Sequence, residues 1–306
     1  MSKRKVIVTI APTGGMAHKS QNPALPTQPL EIADDVLRCY SAGASVVAIH
    51  ARRADDGATC NPAVYRDINE RIRARCDIVI NNSTGGGVHG DMIRELPGGR
   101  WEIAWDERVK GLDAGAEMCT LDATTLNLSF GDREILMDTP LSKARALALG
   151  MKARGIKPEW EVFSPTHILQ DVSTLIGEGV DEEPYFVNLV MNVHRNFQNA
   201  MPFSPRHLQM MVDTLPKGSI FCVSGIGPAQ LEANVAALLL GGHARVGLED
   251  NLYYRQGELA TNVQLTERIV RIIRELDMEP ATAAEARAMM GLPRPGKLRP
   301  AFALPA

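Results

Sequence analysis

The chain has 306 residues, 45% of them hydrophobic and 23% charged, with 26 Gly and 19 Pro; such a composition excludes a disordered, collagen-like or low-complexity polypeptide. Lys and Arg total 33 against 36 Asp and Glu, a formal charge of −3, which argues against nucleic-acid binding while leaving room for a local basic pocket. Five scattered cysteines (Cys39, Cys60, Cys76, Cys119, Cys222) show no CxxC spacing, the pattern of reduced thiols in a cytoplasmic protein.

The first apolar run, Val6–Ala11, stops at Pro12-Thr13-Gly14; it is too short for a signal core or a membrane span, and reads as a buried strand. An amphipathic stretch follows, with Ile32, Val36, Leu37 and Tyr40 on one face and a stop at Ser41-Ala42-Gly43. The same alternation then repeats. Strands are expected at Ser45–His50, Asp77–Asn81, Met118–Asp122, Glu159–Phe163, Tyr185–Met191, Ser219–Ser224 and Ala244–Leu248. Helices are expected between and after them, at Ala63–Arg75, Trp101–Ala114, Leu141–Arg154, His167–Gly177, Pro205–Leu215, Pro228–Leu240 and Leu265–Leu276. Eight βα units of about 38 residues each suit a single-domain (β/α)8 TIM barrel spanning 1–306. A doubly wound open sheet is the alternative. Residues 280–306 read as a C-terminal extension for packing on the barrel or on a neighbouring subunit of a homo-oligomer, with a short helix at Ala283–Met290 and then Pro293, Pro295, Pro300 and Pro305.

In such a barrel the residues just after each strand converge on one pocket. These are Thr13, Gly14, Gly15 and Met16 after the first strand, and His50 with Arg52 and Arg53 after the second. The third ends in Asn81-Asn82-Ser83-Thr84-Gly85-Gly86-Gly87, either a flexible turn or a cradle of N–H groups and hydroxyls for an anion or enolate oxygen. Alternation puts Thr120 and Asp122 on one strand face, and Glu159 and Glu161 on another. Carboxylates turned into a barrel are costly unless paired or metal-bound. Gly225-Ile226-Gly227 is followed by Pro228 and lacks the rest of a dinucleotide fingerprint. The eighth unit is the densest: Gly241-Gly242-His243, an inward Arg245, then Glu249 and Asp250. His with Glu is a usual pair for Zn2+ when a third ligand exists.

Ala11-Pro12-Thr13-Gly14, Ile49-His50-Ala51-Arg52, Asn82-Ser83-Thr84-Gly85-Gly86, Gly155-Ile156-Lys157-Pro158-Glu159 with Glu161-Val162-Phe163, and Gly241-Gly242-His243 through Asn251 resemble the β-keto acid cleavage enzyme family, whose type member cleaves 3-keto-5-aminohexanoate. The resemblance extends to Pro280-Ala281-Thr282 and Glu285-Ala286-Arg287. It implies a Zn2+-dependent (β/α)8 barrel that reacts a β-keto acid with acetyl-CoA, giving acetoacetate and a new acyl-CoA. It further implies His50 and Glu249 as metal ligands, Arg245 and Asp250 as the pair preparing the base, and Ser83 and Thr120 as hydroxyls that hold a carbonyl. Thr13, Gly14, Met16, Thr84, Gly85, Gly86, Asp122 and Glu161 are the expected substrate contacts. Two departures stand out: Ala48 replaces the first His of the family's His-x-His pair, and Met16 replaces an acidic residue that meets the type member's amino group. A metal such as Zn2+ is therefore expected with altered coordination, His18 and Asp122 being candidate further ligands, and the substrate is expected to be uncharged at its distal end. A metal-dependent aldolase or decarboxylase and a catalytically silent keto-acid-binding barrel are the alternative functions.

Overall fold

The computed structural model describes residues 3–293, with eight parallel strands closed into a barrel. The strands are β1 (Val8–Ile10), β2 (Val46–Ile49), β3 (Val79–Asn82), β4 (Met118–Asp122), β5 (Lys157–Val162), β6 (Tyr185–Met191), β7 (Ser219–Gly225) and β8 (His243–Val246). They pair in chain order, and β8 returns to β1 through Ala244↔Val8 and Arg245↔Thr9. That last pairing excludes the open doubly wound sheet. Around the barrel lie α1 (Pro29–Ala42), α2 (Pro62–Arg73), α3 (Trp105–Lys110), α4 (Leu141–Arg154), α5 (Ser173–Gly177, entered through a π-helical turn at His167–Val172), α6 (Pro205–Asp213), α7 (Gln230–Leu239) and α8 (Asn262–Glu275).

Local chemistry sets these boundaries. A capping box of Gln28 and Glu31 opens α1, and Gly43, at φ +116°, closes it in a conformation that favours glycine. The Thr261 side chain accepts from the Gln264 N–H to open α8, whose Leu265, Ile269 and Ile273 are buried against the barrel. With helices outside and side chains inside, β4 is buried at all five positions.

The two ends of the barrel differ in chemistry. At the base, Ile7, Val46, Val79, Met118, Phe186 and Cys222 form an apolar cluster, sealed by Ala286 and Met290 of α9 (Ala283–Met290). The short helix expected in the C-terminal extension is thus present; Pro295, Pro300 and Pro305 lie outside the described residues. Arg287 of α9 is 4% exposed and holds Glu117, just before β4, through Nε–Oε2 at 2.6 Å and Nη2–Oε1 at 3.1 Å. Removing one partner of a buried pair strands the other charge, so Arg287→Met is expected to cost about 3–5 kcal/mol. Denaturant unfolding checks this, and a change below about 1 kcal/mol would show that α9 is held by its apolar face alone.

Two expectations change. Trp101–Ala114 is not one helix: Arg100–Ile103 is a strand, α3 follows, and Gly111–Ala114 is a 3-10 turn. The strand belongs to a four-stranded accessory sheet in the order Leu126–Phe130, Arg133–Met137, Arg100–Ile103, Ile93–Leu96. Its two hairpins turn at Gly98-Gly99 (φ +86° and +75°) and at Gly131 (φ +59°), where positive φ suits glycine. The expected strand Val6–Ala11 is divided, since Lys5–Val6 pairs with Glu279–Pro280 and the barrel strand covers Val8–Ile10.

Candidate active site

The C-terminal mouth of the barrel holds a cavity of about 110 Å³, and the ends of its strands are drawn together by unusually close backbone packing. A Cβ on Gly14 would stand 2.7 Å from Glu249 Cγ; one on Gly15 would stand 2.5 Å from the Gly86 carbonyl oxygen. Arg52, 1% exposed, anchors the first loop by donating to the carbonyls of Gly14 (2.7 Å) and Ala17 (2.7 Å).

Arg245 organises the polar half. It donates through Nη2 to Glu249 Oε1 at 2.6 Å and to Asp250 Oδ1 at 3.1 Å, and through Nε to Asp250 Oδ2 at 3.1 Å; its Nη1 stands 3.5 Å from Glu161 Oε1. Its backbone is fixed from behind by Asn234 of α7, which accepts from the Arg245 N–H and donates to its carbonyl, both at 2.8 Å. Burial opposes the charge on Arg245, but the surrounding carboxylates outweigh it and push the guanidinium well above its usual range. For Glu249, burial works upward, yet Arg245 and His50 prevail and hold the carboxyl at about 2. Asp250 is raised: burial and the Glu249 charge outweigh its pairing with Arg245. Burial also raises Glu161, well above the carboxylate range, helped by Asp122, its register partner on β4. Burial raises Asp122 too, against the pull of Arg108, whose Nη2 lies 3.8 Å away.

Ser83 lines the opposite side of this cluster. Its Oγ accepts from the Gly85 and Gly86 N–H groups at 3.1 and 3.3 Å, which leaves the hydroxyl proton free to be donated elsewhere. Its carbonyl accepts from Tyr65 Oη at 2.8 Å. His50 donates from Nδ1 to the Gly86 carbonyl at 2.9 Å, so its Nε2 faces Glu249 Oε1 at 3.3 Å. Glu249 Oε2 is buried without a hydrogen-bond partner. An imidazole nitrogen and an orphaned carboxylate oxygen on these two neighbouring side chains are donors of the kind a divalent ion takes. Among the described residues, no group of three His, Cys, Asp or Glu side chains is placed to ligate a metal. His18 packs its ring 5.2 Å from that of His89, away from the cavity lining, whereas Asp122 lines it.

The expected site residues thus divide by position. Met16, His50, Ser83, Gly85, Asp122, Glu161, Arg245, Glu249 and Asp250 line one cavity. Thr13, Gly14, Thr84, Gly86 and Thr120 do not line it. Thr120 and Thr84 satisfy each other, Thr120 Oγ1 accepting from the Thr84 N–H at 3.1 Å and its carbonyl from Thr84 Oγ1 at 2.7 Å. Thr13 is fully buried. His243 lies at the other end of the barrel, accepting from the Ile7 N–H at 3.1 Å, and burial pushes its imidazole down to about 4. Sequence reasoning missed Asn188, which donates to Glu161 Oε1 at 3.1 Å and accepts from Ser224 Oγ at 2.9 Å. A polar residue inside the apolar run of β6 was the available signal. It also missed the apolar lining from Ile103, Leu128, Met137, Phe163, Val193 and Phe197.

The profile of the beta-keto acid cleavage enzyme family matches residues 5–292. The 3-keto-5-aminohexanoate cleavage enzyme of Fusobacterium nucleatum is 36% identical over 290 residues, covering 94% of this chain and 98% of its own. The 3-dehydrocarnitine:acetyl-CoA trimethylamine transferase of Rhizobium meliloti is 34% identical, covering 94% and 97%. The apo structure of ObcA, at 20% identity and a TM-score of 0.69, covers 88% of this chain and 66% of that one, and supports the barrel fold. With the profile running from before the first barrel strand to beyond α9, and relatives matched over nearly their whole lengths, the chain belongs to the beta-keto acid cleavage enzyme family.

Proposed function

We propose that this protein is an acyltransferase that reacts a β-keto carboxylate with acetyl-CoA to give acetoacetate and a new acyl-CoA. The observation that carries the reading is Arg245, which gathers Glu161, Glu249 and Asp250 on one side of a cavity that presents the Ser83 hydroxyl on the other. Asp250, its acidity weakened by burial, takes a proton from C2, the carbon between ketone and carboxylate. The enolate carbon attacks the thioester carbonyl and expels CoA thiolate. The thiolate then attacks the original ketone, the old C–C bond breaks, and acetoacetate leaves as an enolate that is reprotonated at C2. Arg245 keeps Asp250 oriented and offsets the carboxylate charge. Ser83 donates its hydroxyl proton to the oxygen on which charge develops. Thr84 and Thr120 act as a tie that sets the height of the Ser83 loop.

His50 Nε2 and Glu249 Oε2 are the groups that would hold Zn2+ or a related divalent ion, which when bound supplies Lewis-acid polarisation of a substrate oxygen. With Ala48 unable to ligate, two protein ligands replace the usual three. Protein purified without chelator is therefore expected to carry less than one equivalent of metal. His50→Ala and Glu249→Gln are expected to lose it, as read by elemental analysis and by loss of the melting-temperature rise on adding Zn2+. Full activity in metal-free protein, unchanged in both variants, would show that no ion takes part.

Unpaired thiols at all five cysteines support a reducing, cytoplasmic setting. A homo-oligomer is part of the same proposal, to be read from the mass of the protein in solution. Mass-spectrometric detection of acetoacetate and a new acyl-CoA tests the reaction itself. CoA-free turnover of the keto acid would replace it with an aldolase or decarboxylase, and tight binding without product with a binding barrel.

A further inference from the structure

The cavity has a second half with chemistry opposite to the first. Ile103, Leu128 and Met137 project into it from the accessory sheet, Phe163 from the end of β5, and Val193 and Phe197 from the segment joining β6 to α6. The two insertions are tied together over the mouth. The Ser129 N–H donates to the Asn196 carbonyl at 2.7 Å, the Gln198 N–H to the Asn127 carbonyl at 3.0 Å, and Asn196 Nδ2 to the Ser129 carbonyl at 2.9 Å. Phe197 packs against Phe163 with ring centroids 5.5 Å apart, and edge-on to Phe130 at 6.3 Å. Every charged, hydroxyl or imidazole side chain in the lining stands at a barrel strand end; the two insertions contribute none.

Resting on the reaction proposed above, we infer that this wall is an acyl-tail subsite, and that the β-keto acid is a short 3-oxoalkanoate with an uncharged alkyl chain beyond C3. The carboxylate and ketone need the polar half of the cavity, between Arg245 and Ser83, which leaves the substituent on C3 to face the wall. A terminal ammonium or carboxylate would be desolvated there with no counter-charge, a large penalty. A methylene gains from the same burial. The cavity is small, about 110 Å³, which suits a short chain.

The test compares acetoacetate, 3-oxohexanoate, 3-oxooctanoate, 3-oxoadipate and 5-amino-3-oxohexanoate, each with acetyl-CoA and the metal-supplemented enzyme. Calorimetric binding of the same acids is measured alongside. Transfer of label from acetyl-CoA into acetoacetate reports the chemistry with no tail present. Each added methylene is expected to raise kcat/KM about fourfold until the wall is filled, and the two charged acids are expected to fall at least about 100-fold below 3-oxohexanoate. A charged acid that matches 3-oxohexanoate in turnover or in binding overturns the subsite. Absence of exchange with every acid, label transfer included, overturns the reaction instead, and the binding order then decides the subsite by itself. Leu128→Arg is expected to move the preference toward 3-oxoadipate by about 100-fold. Should that variant fail to fold, Val193→Phe decides: it is expected to lower 3-oxooctanoate relative to acetoacetate by about tenfold or more, and an unchanged ratio overturns the assignment.

Discussion

Asp250→Asn is expected to lower kcat/KM by about two to four orders of magnitude, the usual size of a general-base contribution, while lowering Tm by only about 2–4 °C. Asparagine keeps the volume, and its amide oxygen still accepts from Arg245, so the fold loses about one hydrogen bond's worth of free energy. Arg245 also remains neutralised, because Glu249 stays at 2.6 Å and Glu161 at 3.5 Å. What disappears is the group that accepts the C2 proton. The pH dependence gives a second check. A base works when deprotonated, and burial has moved Asp250 upward from its ordinary value, so wild-type kcat/KM falls as pH drops through that raised pKa. The variant lacks that limb. An active variant that unfolds early would assign Asp250 to structure instead.

Most of the barrel was legible because its strands are short Val- and Ile-rich runs, each followed by a helix, and a count of eight such units favours closure over an open sheet. The accessory sheet was hidden because its strands are short and half-exposed. Two of its four strands lie beyond β4 in the chain, so Trp101–Ile103 looked like the first turn of α3. Gly98-Gly99 and Gly131 were the signs of its hairpins. Within the site, alternation along β4 put Thr120 and Asp122 on one face, but not at one height. Asp122 reaches the cavity, and Thr120, two residues deeper, ties down Thr84. The supports were the least visible part, since their partners are remote in sequence. Asn262 donates to Asp35 across 227 residues at 2.6 Å while accepting from the Leu248 N–H at 2.8 Å, which fixes the turn carrying Glu249 and Asp250.

Arg245→Met is expected to reduce kcat/KM by three orders of magnitude or more and to lower stability by about 3–5 kcal/mol near neutral pH. The guanidinium side chain is 4% exposed and is shared among three carboxyl groups at the barrel mouth, of which Asp250 is buried and Glu161 and Glu249 are mostly so. Methionine fills much of its volume but leaves Glu249 and Asp250 facing each other without the guanidinium they share. Their carboxyl pKa values in the folded variant then rise above those of the unfolded chain. A group whose folded pKa is raised binds more protons when folded, so its contribution to stability is present at low pH and is lost as pH rises. The Tm difference between wild type and variant is therefore expected to be larger at about pH 8 than at about pH 5. Arg245→Lys separates charge from geometry. Lysine restores one positive charge and recovers much of the stability, but a single ammonium cannot make the paired contact to Asp250 and reach Glu249 together, so turnover stays low. Calorimetric scans of the two variants at both pH values, with kcat/KM beside them, measure all of this. A methionine variant as stable as wild type at the higher pH would mean that the carboxyl cluster does not need Arg245 as its counter-charge, and a fully active lysine variant would mean that charge alone, rather than the forked contact, is what Asp250 requires.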